Sequence, residues 1–160
     1  MSNLRQLESK IGYSFTNQAL LKEAVTHGSS RNTNANRNLP HHERLEYLGD
    51  AILYTVISEY LFKHDPDADP GTLSTLRQEL ISDRKQNIIA EQLQIYDHVN
   101  MNASLSRYQF RRYGEFVEAI IGAVYIDAGG GDMNGLRKAK DVIFRLWGLE
   151  DPPSAFCVIA

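Results

Sequence analysis

The 160-residue chain has one cysteine, Cys157, which excludes an internal disulfide and a cysteine-based zinc site. Any metal ion must therefore be held by oxygen or histidine ligands. No apolar run approaches the roughly eighteen residues a membrane-spanning helix needs. The opening segment, MSNLRQLESKIG, lacks the apolar stretch of a secretory signal, so an intracellular, cytoplasmic protein is expected. A basic excess is missing too. The 17 Lys and Arg against 20 Asp and Glu give a formal charge of −3, unlike the positive footprint usual in nucleic-acid-binding domains. Net charge is a blunt measure, because a cation-binding carboxylate cluster makes a domain look more acidic than the rest of its surface is. Strand-like alternation, internal repeats and low-complexity blocks are absent as well.

What is present is helical periodicity, in a chain whose length fits one domain and whose 42% apolar share is enough for a core. Leu4, Leu7 and Ile11 predict a helix stopped by Gly12, and Thr16 or Asn17 can cap a second over 17–25. Segment 28–40, rich in Ser and Asn and closed by Pro40, reads as a mobile loop. Residues 41–63 carry the longest apolar stripe, through Leu45, Leu48, Ile52, Val56 and Leu61, and DPDADPG over 65–71 ends it. Further helices are predicted at about 72–83 and 84–93, with 94–103 irregular. The helix predicted over 106–127 is apolar nearly all round from Phe116, which marks it as central. Gly129, Gly130 and Gly131 break it, and an amphipathic helix follows over 134–147. The class is all-α with about seven helices: one domain over 1–147 and a mobile tail over 148–160.

The informative residues are acids on the two most apolar helices. Glu43, Glu46 and Asp50 fall at three- and four-residue steps, which stack on one helix face beside Leu45, Leu48, Ile52 and Leu53. Glu115 and Glu118 share a face of the second long helix, Glu118 within its most apolar stretch. A buried, unpaired carboxylate costs several kcal/mol, so each must be protonated, paired with an arginine such as Arg44, Arg111 or Arg112, or bound to metal. For any one acid a salt bridge is the simpler reading. Two same-face pairs on two buried helices favour cations, and hard oxygen ligands suit Mg²⁺, with Mn²⁺ as a second candidate. Divalent ions held there would serve phosphodiester chemistry by activating water and stabilising a leaving oxygen.

ERLEYLGDAIL, residues 43–53, closely resembles the signature of the ribonuclease III family, with Tyr47 and Ala51 as its departures from the commonest form. IGYSFTNQALLKEAVTHGS (11–29), GTLSTLRQELIS (71–82) and EFVEAIIGAVYID (115–127) resemble further family motifs, in the family's order. The resemblance spans about residues 4–147 and implies the family's helical endonuclease-domain fold. Carried over by position, Glu46 and Asp50 match the metal-binding pair of the first motif, and Glu118 the essential metal-ligating glutamate of the second. Asp50 and Glu118 are thereby the catalytic candidates, and Glu43 is a supporting acid. Glu115 stands where the family ordinarily has aspartate, and the extra methylene moves its carboxylate by more than an ångström.

The resemblance implies a metal-dependent endoribonuclease. Acting as a homodimer, it would hydrolyse double-stranded or hairpin RNA to 5′-phosphate and 3′-hydroxyl ends. A-form RNA is read mostly by shape, phosphates and 2′-hydroxyls. The alternative is a relative of weak or no activity, serving as a structural or RNA-binding dimer or recruited for another role. The double-stranded-RNA-binding module of most bacterial members would begin about where these 160 residues end. Arg77, Arg107, Arg111 and Arg112, with Tyr108, Tyr113 and the Arg84-Lys85 pair nearby, are candidate phosphate contacts, and a solvated helix face accounts for them equally well. His27 reads as a structural hydrogen-bonder, and His41 and His42 as loop residues rather than ligands. Cys157-Val158-Ile159-Ala160 matches a C-a-a-X prenylation pattern, the only feature that would bring the protein to a membrane, but lacks the usual upstream basic patch.

Overall fold

The computed structural model describes residues 4–31, 38–105 and 112–151. Among them are seven α-helices: α1 (Leu4–Ile11), α2 (Gln18–Ala24), α3 (Glu43–His64), α4 (Pro70–Leu80), α5 (Asp83–Leu93), α6 (Gly114–Asp127) and α7 (Met133–Trp147). They contain no strand, and one isolated bridge joins Thr26 to Asn100. None of these helices is long and apolar enough to cross a membrane. Arg107 and Arg111, with Tyr108, lie outside the described residues, as does the tail from Pro152 with Cys157.

Local chemistry sets the helix ends. Asn17 accepts from the Ala19 N–H to open α2, the second of the two caps predicted there. Asp69 accepts from Gly71 and Thr72, and Pro70 at the first helical position needs no N–H partner. This cap starts α4 two residues earlier than periodicity predicts. Ser82 caps α5 through the Lys85 N–H and so separates α4 from α5, the two helices predicted there. The loop predicted over 28–40 opens with a 3₁₀ turn at Gly28–Arg31, and the irregular stretch after α5 holds another at Ile95–Asp97. Residues Arg112 and Tyr113 precede α6 instead of belonging to it. The cap is tertiary: the Gly114 N–H donates to Asn87 Oδ1 on α5, a partner the local sequence does not reveal.

α6 runs through the middle of the molecule. Phe116, Val117, Ala119, Ile120, Ile121, Ala123 and Val124 are inaccessible to solvent, with α3 as the main neighbour and α2, α5 and α7 around them. Gly49 of α3 and Gly122 of α6 make this crossing possible. A Cβ on Gly49 would overlap the Glu118 carbonyl oxygen, and one on Gly122 would overlap that of Leu45. Backbones can meet this closely only where side chains are missing. At the far end of α6, Asp127 accepts from Thr16 N (2.8 Å), Asn17 N (2.7 Å) and Tyr13 Oη (2.9 Å), tying the α1–α2 turn to the central helix.

Candidate metal centre

The glycine crossing determines where the acids fall. Glu46 and Asp50 flank Gly49 on α3, while Glu118 sits on α6 at the point of closest approach. Glu46, Glu115 and Glu118 line one cleft, and α5 closes its third side with Asp83, Gln86 and Asn87. Arg112 and Gly114 complete the rim. Asp50 is exposed at its edge and close enough to add to the field at Glu118.

Two sub-arrangements are visible. In the first, His42 Nε2 lies 3.4 Å from Glu46 Oε2 and 3.3 Å from Glu115 Oε2. Arg112 Nε holds the other Glu115 oxygen at 2.5 Å. Burial pushes the Glu46 carboxyl above its usual range, and Glu115 adds to this while His42 and Arg112 oppose it. Burial also depresses the neighbouring His27 imidazole, with help from His42. In the second, Gln86 Nε2 donates to Glu118 Oε1 at 2.7 Å and to the Ile81 carbonyl at 2.9 Å, so the amide is fixed at both ends. Burial raises Glu118 from 4.5 to about 7; the Gln86 hydrogen bond resists, and Asp50, Glu46 and Asp83 add repulsion.

The donor set fits a divalent cation. Three donor atoms, from His42, Glu46 and Glu115, lie within 4.8 Å of one another, and Glu118 is partly buried among like charges. Carboxylates held this way are stabilised by a hard cation more than by further hydrogen bonds.

Other predicted residues stand apart. Glu43 is exposed beside His41 (3.8 Å). Arg77 lies 4.0 Å over the Tyr54 ring and donates to Ser58 Oγ at 3.1 Å, and none of these residues lines the cleft. Arg112, by contrast, is on the cleft rim and is committed to Glu115. The sequence reading missed the α5 wall and His42. Gln86 left one signal: with Ile89, Ala90 and Leu93 it occupies the buried stripe of α5, where a glutamine is out of place. His42 does sit in the turn before α3 as expected, yet it is 1% exposed.

All-helical among the described residues, with acids of its two central helices meeting in one cleft, the domain falls in the class of helical cores that carry a carboxylate cluster able to hold metal. Comparison with known proteins narrows this. A family model described as Ribonuclease-III-like matches residues 17–145. Ribonuclease 3 of Shewanella denitrificans is 42% identical over 132 residues, covering 80% of this chain and 55% of that protein. The enzyme of that name from Campylobacter fetus is 38% identical over 133 residues, with 81% and 57% covered. The crystal structure of the nuclease domain of ribonuclease III from Campylobacter jejuni superposes with a TM-score of 0.79 at 32% identity, covering 92% of this chain and 95% of that one. A second structure of that domain, described as showing flexibility in a region involved in dimer formation, gives a TM-score of 0.80 at 32% identity, covering 91% and 96%. The chain belongs to the ribonuclease III family, and its fold is that of the family's nuclease domain. It spans little more than half the length of the first two curated relatives.

Proposed function

We propose that this domain is a metal-dependent endoribonuclease that hydrolyses double-stranded or hairpin RNA to 5′-phosphate and 3′-hydroxyl ends. The observation that carries the reading is the meeting of Glu46, Glu115 and Glu118 in one cleft at the α3–α6 crossing, with Asp50 at its edge. Mg²⁺ or Mn²⁺ bound there would supply charge neutralisation and water activation at the phosphodiester. The chain's own residues fix the geometry. Arg112 holds one oxygen of Glu115, the other lies 3.3 Å from His42 Nε2, and Gln86 holds Glu118. Asp50 is open to solvent and to an approaching phosphate.

The working form is a homodimer. Tyr47 (83% exposed) and Met133 (86% exposed) are large apolar groups presented to water, and Met133 borders a hollow lined by Leu48, Ala51, Ile52, Thr55, Tyr125 and Leu136. An apolar face of this kind with an aromatic beside it is suited to self-association. We infer that the activity is exercised inside the cell, in the cytoplasm, which suits an RNA substrate.

The test is a gel assay on double-stranded RNA with magnesium, manganese and chelator lanes, run on the wild type and on Glu118→Gln. Metal-dependent cleavage by the wild type is expected. The variant should leave RNA intact while keeping helical content and dimer mass. Cleavage by the variant, or by the wild type in chelator, overturns the proposal.

A further inference from the structure

His42 has the setting of a ligand and not of a loop residue. Its backbone N–H donates to the Thr26 carbonyl at 2.9 Å, and its ring Nδ1 lies 3.1 Å from that same oxygen. A carbonyl can only accept, so Nδ1 carries a proton and Nε2 is the ring nitrogen that faces the acids and whose lone pair a cation would take. Nε2 points between Glu46 Oε2 and Glu115 Oε2, at 3.4 and 3.3 Å. Two carboxylate oxygens and a ring nitrogen therefore converge on one point, within 4.8 Å of one another, where a single cation can be shared by all three. The ring cannot turn away, because it is buried against Phe116 (4.6 Å between centroids) and stacked on His27 (5.6 Å).

We infer that His42 Nε2 is a nitrogen ligand of the divalent cation held by Glu46 and Glu115, so that this centre is a mixed nitrogen–oxygen site favouring Mn²⁺ over Mg²⁺. The inference rests on the carboxylates binding metal, as proposed above. The spacing is suitable: ligand atoms about 2.1 Å from a shared ion lie roughly 3.0–3.4 Å apart at octahedral to tetrahedral angles. The outer contact is suitable too, since a metal-ligating histidine characteristically donates its other ring N–H to a backbone carbonyl or carboxylate. Arg112 occupies Glu115 Oε1, which leaves Oε2 for the ion. Imidazole binds transition ions well, whereas Mg²⁺ prefers oxygen, so the histidine biases the choice of metal.

Electron spin-echo envelope modulation of Mn²⁺ added to the metal-free 160-residue chain tests this without any assay of activity. Nitrogen-14 modulation from directly bound imidazole is expected. It should persist in His27→Gln and His41→Gln, the two histidines nearest in space, which assigns it to His42 even if a change at that position prevents folding. In a folded His42→Asn protein the modulation should vanish, and Mn²⁺ affinity should fall about tenfold or more while Mg²⁺ affinity changes much less. Bound Mn²⁺ with oxygen ligands alone, the result expected if His42 is instead an imidazolium pairing with both acids, overturns the inference and leaves the carboxylate centre standing. Modulation that disappears with His27 or His41, or survives in His42→Asn, overturns it as well. No binding of Mn²⁺ at all removes both readings.

Discussion

Glu118→Gln should make the metal-free protein more stable while destroying its capacity to be stabilised by metal. The Glu118 carboxyl is raised from 4.5 to about 7, burial being the largest cause and Asp50, Glu46 and Asp83 adding to it. Between those values the folded protein keeps a proton that the unfolded chain has lost, so stability falls as pH rises. The penalty is absent below pH 4.5 and complete above about 7. A shift of that size corresponds at most to about 3 kcal/mol at 1.36 kcal/mol per unit, and solvent screening of the partly exposed group reduces it to about 1–2 kcal/mol. Glutamine has no proton to lose, and its amide oxygen can still accept from Gln86 Nε2. In chelator the variant should therefore melt about 3–6 °C above the wild type at pH 8, with the gap closing toward pH 4.5. Excess Mn²⁺ should invert the order, since ligand at about 100 times its Kd adds about 2.7 kcal/mol to the protein that binds it. Thermal melts by circular dichroism across pH, with and without metal, measure all of this. A gap that is absent at pH 8, or the same at both ends of the range, refutes the reasoning.

Three further changes probe the frame around the site. Gly49→Ala places a methyl group on the Glu118 carbonyl oxygen and must push α3 from α6, so urea titration should show a loss of about 3 kcal/mol or more; full stability would mean the helices are not in contact. Asp127→Ala removes the acceptor of two backbone N–H groups and the Tyr13 hydroxyl, and should cost about 2–3 kcal/mol with hydrogen exchange rising first at Thr16 and Asn17. Tyr47→Asp puts a charge on the exposed apolar face, so light scattering should report a monomer with unchanged helical content; a persistent dimer would move the interface elsewhere.

The elements legible in the sequence are those whose cause is local. The stripe on α3, the caps at Asn17 and the stop at Gly12 depend on residues within a turn or two, and α6 was recognisable as central because almost every side of it is apolar. The same-face acids were legible for the same reason, since helical spacing alone aligns Glu46 with Asp50 and Glu115 with Glu118. What escaped was carried by distant partners. His42 meets Glu115 across 73 residues, and Gln86 meets Glu118 across 32. Nothing next to His42 announces its contact, and the apolar stripe around Gln86 shows only that a polar group is out of place there. Gly49 and Gly122 were silent in another way: by propensity a glycine inside a helix is a weakness. Only the crossing shows that here each makes room for a backbone.

Glu115, which stands where the motif it resembles ordinarily has aspartate, is one of the two acids that His42 touches. Aspartate at position 115 would withdraw the carboxylate by roughly 1.3 Å, the length of one methylene step along the chain. Its oxygen would then stand farther from His42 Nε2, outside hydrogen-bond distance of it. With glutamate the oxygen arrives at 3.3 Å, and Arg112 fixes the other oxygen. If His42 ligates the ion as proposed, the longer Glu115 side chain is what brings its oxygen to the same ion. Glu115→Asp, which restores the residue usual in the family, should weaken Mn²⁺ binding in this chain by about tenfold, the range seen when the support of a metal ligand is lost. Titration of Mn²⁺ followed by the loss of its free electron paramagnetic signal gives the number. If the aspartate variant binds more tightly, the longer side chain is a handicap that the site tolerates, and the pairing of Glu115 with His42 has no part in holding the ion.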